Sequence, residues 1–314
     1  MKNILITAGG TASAYYFCKT ISKYLKNEIR LFVADINEGK LIPAAMFADQ
    51  FIQVPLVSDA TYKDAVLKEI DDKNIDIIVP LIDLDLMQFP CDDEGLAALN
   101  CISTAPELSV SQQLSDKIHL TEAASRIGVN VPRDYTTRII DPNLNYFTKP
   151  RLGFGSRGAI QMSGLSILEN DSNSDMIIQE VCDGPEVTVE VFYDGDNLHT
   201  LCRERLEVKA GVCTKARVFQ DAVLHEYIGV IARHFILPTA SCFQFMKNQN
   251  GEWCLTDANL RIGAGSALCA AVGWNLPYAS VLHWIGRSNE ANEQLDFIGQ
   301  DRYVVRVYEE IVTV

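Results

Sequence analysis

The sequence predicts an α/β protein whose first third is a doubly wound parallel-sheet domain and whose later domains are α+β, built on antiparallel strands. Three observations predict it. Short runs that are apolar throughout, such as Asn3-Ile4-Leu5-Ile6-Thr7 and Ile75 to Val79, recur with helical patterns between them, as expected of parallel strands covered on both faces. Beyond residue 180 the pattern becomes alternating: in Glu186-Val187-Thr188-Val189-Glu190-Val191 the valines share one face and the polar residues the other. Between these regions lies a glycine-rich stretch, Phe147-Thr148-Lys149-Pro150-Arg151-Leu152-Gly153-Phe154-Gly155-Ser156-Arg157-Gly158, that joins two β-type runs.

Composition narrows the function classes. At 314 residues, 48% hydrophobic and 22% charged, the chain has material for two or three cores. A formal charge of −14 excludes a general nucleic-acid surface, because phosphate backbones require a basic stripe. No apolar run approaches the roughly 18 residues of a membrane span, and Met1-Lys2-Asn3 leads straight into a strand pattern without room for a signal peptide, so a cytoplasmic location is expected. The nine cysteines form no Cys-x-x-Cys pair and sit mostly in apolar runs. Buried free thiols are expected rather than disulfides or a zinc framework. The five histidines show no metal-type spacing.

The first domain is expected over residues 1–105, with strands at Ile29 to Ala34 and Phe51 to Val54 and a helical pattern through Tyr16, Ile21 and Leu25. Gly9-Gly10 and the acidic Asp35 after the second strand invite a dinucleotide reading, but the G-x-G-x-x-G fingerprint is absent. Asp83 and Asp85 follow the strand ending at Val79, where open α/β sheets bind ligands. They suit a substrate amine, and equally a helix start with acidic first-turn residues. Ala105-Pro106 breaks the alternation, and a second unit, 106–182, begins with a helix from Ser115 to Arg126 stopped by Gly128. Its glycine loop offers backbone N–H groups to an anion, with Lys149 and Arg157 supplying positive charge, as a nucleoside triphosphate needs.

The third unit, 183–314, carries a cluster of Arg203, Arg205, Lys209, Lys215 and Arg217 that points to an anion. An amphipathic helix from Asp221 to Phe235 precedes two strands joined by Asn248-Gln249-Asn250-Gly251. The second of these ends in Asp257-Ala258-Asn259-Leu260-Arg261. Asp257 and Asn259, two apart on extended backbone, present hard oxygen donors suited to magnesium on one side, and Gln244 on the neighbouring strand can join them.

In this order the parts resemble the ATP-grasp superfamily, and within it the proteins similar to the large subunit of carbamoyl phosphate synthase. The most specific element is Asp257-Ala258-Asn259-Leu260-Arg261, which matches a family pattern of acid, any residue, asparagine, any residue, arginine. The Lys149-Pro150 loop and Gln179-Glu180 follow in the family's order. The resemblance implies ATP held between a small lid and a larger carboxyl-terminal subdomain. Lys117 and Lys149 would contact the phosphates, with Gly153, Gly155, Ser156, Arg157 and Gly158 closing over them. Glu180, Val181 and Cys182 would form the hinge beside adenine, and Glu186 would hold the ribose. Gln244, Asp257 and Asn259 would bind magnesium, with manganese as a substitute, and Arg261 would stabilise an acyl phosphate. Arg203, Arg205, Lys209 and Lys215 fall where a carboxylate or phosphoryl group would bind, while Gly9, Gly10, Asp83 and Asp85 would shape the substrate site.

The implied activity is ligation of a small carboxylic acid to an amine through an acyl phosphate, with no nucleic-acid or membrane partner and a homodimer as the default assembly. Two departures bear on this. The family usually has glutamate in place of Asp257, and an acid often stands in place of Gln244. They motivate a competing reading, a nucleotide-binding regulatory protein that no longer catalyses. An NAD-dependent oxidoreductase built on the first domain is the third.

Overall fold

The computed structural model describes residues 1–153, 158–169, 175–209, 211–307 and 310–313. Five strands, β1 (Lys2–Ile6), β2 (Ile29–Asp35), β3 (Gln50–Gln53), β4 (Ile77–Val79) and β5 (Ile102–Ser103), form a parallel sheet in the order β3-β2-β1-β4-β5. Because side chains alternate across a strand, the apolar runs feed two cores. Ile4, Ile6, Leu31, Val33, Ile77 and Val79 face helix α1 (Ala12–Tyr24) through Phe17 and Ile21. Leu5, Phe32, Ala34 and Ile78 face α2 (Tyr62–Lys73) through Tyr62, Val66 and Ile70. Two short helices, α3 (Asp83–Gln88) and α4 (Glu94–Ala98), fill the β4–β5 crossover.

Two further helices follow, α5 (Leu108–Ser115) and α6 (Lys117–Arg126), the second capped by the Asp116 carboxylate, which accepts from the N–H groups of Ile118 and His119. Here the structure departs from the expected division at 106. Val110, Leu114, Leu120 and Ala124 are buried in the core of the carboxyl-terminal sheet rather than in the lid. Their apolar stripes found the larger surface to cover, which sequence order alone does not disclose.

The lid itself is a three-stranded antiparallel sheet of β6 (Asn145–Pro150), β7 (Ile160–Ser163) and β8 (Met176–Glu180), in the order β7-β6-β8, with helix α7 (Gly164–Glu169). Its core is small, centred on Tyr146, Ile167 and Ile178.

Six antiparallel strands make the third layer: β9 (Glu186–Tyr193), β10 (Leu198–Lys209), β11 (Val212–Phe219), β12 (Ala240–Lys247), β13 (Trp253–Asn259) and β14 (Arg302–Val305). Their order is β13-β12-β9-β10-β11-β14. Val187, Val189, Val191, Phe243, Phe245 and Leu255 pack against α8 (Ala222–His234) through Leu224, Ile228 and Ile231. The opposite face carries the polar residues of the same alternation. Toward β10 and β11 it becomes apolar, and Leu201 and Val218 join the first domain's core together with α9 (Ser266–Ala270) and α10 (Leu276–Trp284). Tyr24 of α1 stacks on Tyr278 of α10 with ring centroids 4.8 Å apart.

Candidate functional site

A cavity of about 360 Å³ opens between the lid and the six-stranded sheet, lined by residues that include Lys117, Lys149, Gly153, Glu180, Cys182, Glu186, Gln244 and Asp257. Each reaches it for a local reason. Asp257 of β13 stands opposite Gln244 of β12, which stands opposite Thr188 of β9, which stands opposite Arg203 of β10. Cross-strand partners share a face, so one row delivers an acid, an amide, a hydroxyl and a guanidinium to the polar side. The next row is Asn259, Cys242 and Glu190.

Two lysines meet at the lid end. Lys149 leaves β6 and donates from Nζ to the Thr256 carbonyl at 2.7 Å. Lys117, the first residue of α6, donates to the Gly153 carbonyl at 3.1 Å, with its Nζ 3.9 Å from Asp257 Oδ1. Burial pushes the Lys149 ammonium down to about 8; Asp257 and Cys182 oppose the fall and Lys117 adds to it. Burial likewise pushes the Asp257 carboxyl up, against the two lysines that hold it down. Gly158 closes the glycine loop at φ +74°, a conformation that favours glycine. The expected phosphate-loop residues Gly155, Ser156 and Arg157 lie outside the described residues.

Also on the cavity lining, the Glu180 carboxylate accepts from the N–H of Arg133 at 3.0 Å, and Arg205 pairs with Glu186 and so fixes a carboxylate on the cavity wall. Beyond Asp257, Arg261 grips Asp83 with both arms, Nε to Oδ1 at 3.0 Å and Nη2 to Oδ2 at 3.2 Å, and donates to Asn259 Oδ1 at 3.2 Å. This fork ties the first domain to the end of β13.

Deeper on the same face, Arg203 Nη2 donates to Glu190 Oε1 at 3.1 Å. Arg203 Nε and Nη1, Glu190 Oε2 and Ser241 Oγ are buried without a partner among the described residues. Sequence reasoning left Glu190 and Ser241 unassigned, although the Glu186, Thr188, Glu190 alternation was the available signal for the first.

Several expected residues sit elsewhere. Asp85 is only 1% exposed and accepts from the Tyr62 hydroxyl at 2.8 Å inside the first domain, so it does not face the cavity. Asp83 is engaged by Arg261 rather than left open for an amine. Gly9 and Gly10 serve packing: a Cβ on Gly9 would lie 2.5 Å from Val33 Cγ1, and Gly10 N–H donates to Asp35 at 2.7 Å. Asp35 also accepts from Asn37, so the carboxylate that suggested dinucleotide binding is occupied within its own turn. Lys209 and Lys215 are exposed and paired with Glu207 at 3.5 and 2.9 Å. Arg217 pairs with Glu204 and Asp301. In so acidic a chain, cross-strand carboxylates neutralise most of the basic cluster, and only Arg203 and Arg205 turn to the site face.

Carboxylate and amide oxygens on adjacent strands are the hard donors that magnesium takes in small number, so Asp257, Asn259 and Gln244 fit that ion. Two lysines, hard oxygen donors and an arginine gather around a cleft between lid and sheet, the arrangement that the ATP-grasp resemblance implies.

Comparison with known proteins agrees. Residues 4–104 match the family model described as PylC-like, N-terminal domain, and residues 172–306 match the model described as ATP-grasp in the biosynthetic pathway with Ter operon. No curated protein matches the sequence. Similar solved structures include the L-amino acid ligase from Bacillus licheniformis, 15% identical with a TM-score of 0.70 over 90% of this chain and 73% of that one. Another is N5-carboxyaminoimidazole synthetase from Staphylococcus aureus complexed with ADP, 16% identical with a TM-score of 0.71 over 91% and 78%. The biotin carboxylase domain dimer of Hydrogenobacter thermophilus 2-oxoglutarate carboxylase, in complex with MgADP, ADP and bicarbonate, is 14% identical with a TM-score of 0.75 over 96% and 73%. These likenesses show the fold. Over residues 172–306 the chain is similar to an ATP-grasp family model, and it shares the fold of these solved structures. No helix among the described residues is long and apolar enough to cross a membrane.

Proposed function

We propose that the protein is an ATP-dependent carboxylate–amine ligase, forming an acyl phosphate from a small carboxylic acid and then an amide with an amine. The observation that carries this reading is that Lys117, Lys149 and Asp257, with Lys117 Nζ 3.9 Å from Asp257 Oδ1, line one cavity together with Glu180, Cys182 and Glu186. The lysines suit phosphates and the hinge residues a nucleoside. Magnesium, held by Asp257, Asn259 and Gln244, supplies charge neutralisation at the phosphates. The protein's own part is positioning and electrostatics. Lys149 and Lys117 orient the phosphates, Glu186 steadied by Arg205 receives the ribose, and Arg261 places its guanidinium where negative charge develops. Arg203, with two unpartnered guanidinium nitrogens, is the candidate for the acid substrate's carboxylate.

The test is ADP release with Mg-ATP across amino acids and small carboxylic acids, singly and in pairs, with mass spectrometry of products. A pair that releases ADP and yields a condensed product establishes the ligase. Binding of ATP without stimulated turnover by any pair favours the non-catalytic reading, which rests on Asp257 and Gln244. A homodimer is the expected assembly, checked by light scattering.

Lys149 gives a pH prediction. Its ammonium titrates near 8 in the free protein, and phosphates bind the charged form. ATP affinity is therefore expected to fall as pH rises above about 8, approaching tenfold per pH unit. Lys149→Met should bind ATP more weakly at pH 7 and lose that slope; an unchanged slope would remove Lys149 from the phosphate site. For stability the sign is opposite. The lysine's value falls from 10.5 on folding, so between about 8 and 10.5 the unfolded chain holds more protons and this residue makes stability rise with pH.

A further inference from the structure

The nine cysteines, expected as buried free thiols rather than a disulfide or zinc framework, include two that the fold brings together. Cys182, between β8 and β9, and Cys254, in β13, are 72 residues apart in sequence, yet their sulfurs and a Glu180 carboxylate oxygen all lie within 4.8 Å of one another. This is the one such grouping of three potential ligands among the described residues. We propose that Glu180, Cys182 and Cys254 form a site for a thiophilic divalent cation, of the zinc or cadmium class, at the nucleoside end of the cavity.

Two thiolates and a carboxylate are a soft-to-borderline donor set that selects such ions over magnesium. Bonds of about 2.0–2.3 Å to oxygen and sulfur hold ligands roughly 3.5–4 Å apart, so closing from 4.8 Å takes only side-chain adjustment. The Arg133 N–H bonded to Glu180 orients the carboxylate, as outer-shell donors do at metal sites. Cys254 is 1% exposed, whereas Glu180 and Cys182 line the cavity, so an ion enters from the cavity and its fourth position faces it. The ion and a nucleoside would then occupy overlapping space. That last consequence rests on the hinge reading above; ion binding itself does not.

The experiment titrates Cd²⁺ alone into the reduced protein, without nucleotide or magnesium, following thiolate-to-cadmium absorbance in the ultraviolet. The expected result is a band saturating at one equivalent, about half as strong in Cys182→Ser and in Cys254→Ser, absent in the double variant and unchanged in Cys91→Ser, whose thiol is exposed elsewhere. Glu180→Gln should weaken Cd²⁺ affinity at least about tenfold. If buried Cys254→Ser fails to fold, Cys182→Ser at the half-exposed hinge position carries the test. No band, or a full band in the Cys182→Ser variant, overturns the site. Excess adenosine, which lacks the phosphates that would chelate the ion in solution, should weaken Cd²⁺ binding at least about tenfold. A cysteine-dependent band indifferent to adenosine would support the metal site and overturn the hinge reading instead.

Discussion

Replacing Asn259 with alanine is expected to lower kcat for ADP formation by at least about 10²–10³-fold, the scale seen when one preorganised group at a developing charge is removed, while leaving the fold intact. Asn259 closes β13 and accepts from Arg261 at 3.2 Å, and in the proposed reading its side-chain oxygen would serve the metal. Its loss frees one guanidinium N–H, but the fork from Arg261 to Asp83 remains. Circular dichroism and the melting temperature should therefore stay close to the parent's. Near-parental ADP release by the variant would remove Asn259 from the metal set.

Arg261→Ala should cost as much activity and also stability. The side chain is mostly buried; burial depresses its charged form, and Asp83, together with Cys242 and Asp257, more than restores it, so removal leaves a carboxylate without its partner at a domain junction. Hydrogen bonds to charged groups contribute about 1.5–3 kcal/mol each, and partial solvent access at Asp83 reduces the expected loss to about 1–3 kcal/mol. Asp83→Asn separates the two roles. It weakens the fork but keeps the guanidinium, so the melting temperature should fall as in Arg261→Ala while kcat is largely retained. Equal loss of kcat in both variants would reduce Arg261 to a positioning residue. Arg261→Lys keeps the charge but not the fork, and should lie between parent and alanine.

Local chemistry accounts for what was legible in the sequence. Continuous apolar runs gave the parallel sheet because both faces are buried, and the Val187, Val189, Val191 alternation correctly divided β9 into a packed and a polar face. Asp257 and Asn259 lie two apart on β13 and so share a face, and Arg261, beyond the strand's end, reaches back to Asn259. What failed depended on distant partners. Nothing near Asp85 announces Tyr62, nothing near Lys215 announces Glu207, and Cys182 gives no sign of Cys254. The surfaces covered by α5 and α6 were hidden for the same reason. An amphipathic helix declares that it will be buried, but not against which sheet.

The core shared by the first domain and α10 has a consequence for how the molecule comes apart. Ile4, Phe17 and Val33 are buried in one cluster with Phe192, Val218, Trp274 and Leu282, so a fragment ending near residue 105 would open that whole side to water. Such a fragment is expected to be insoluble, and the two regions should lose amide protection together in hydrogen exchange. The lid strands, resting on Tyr146, Ile167 and Ile178, should exchange first and at lower free energy. On this expectation the polypeptide opens as two units rather than three, with the cavity between lid and sheet along the seam between them.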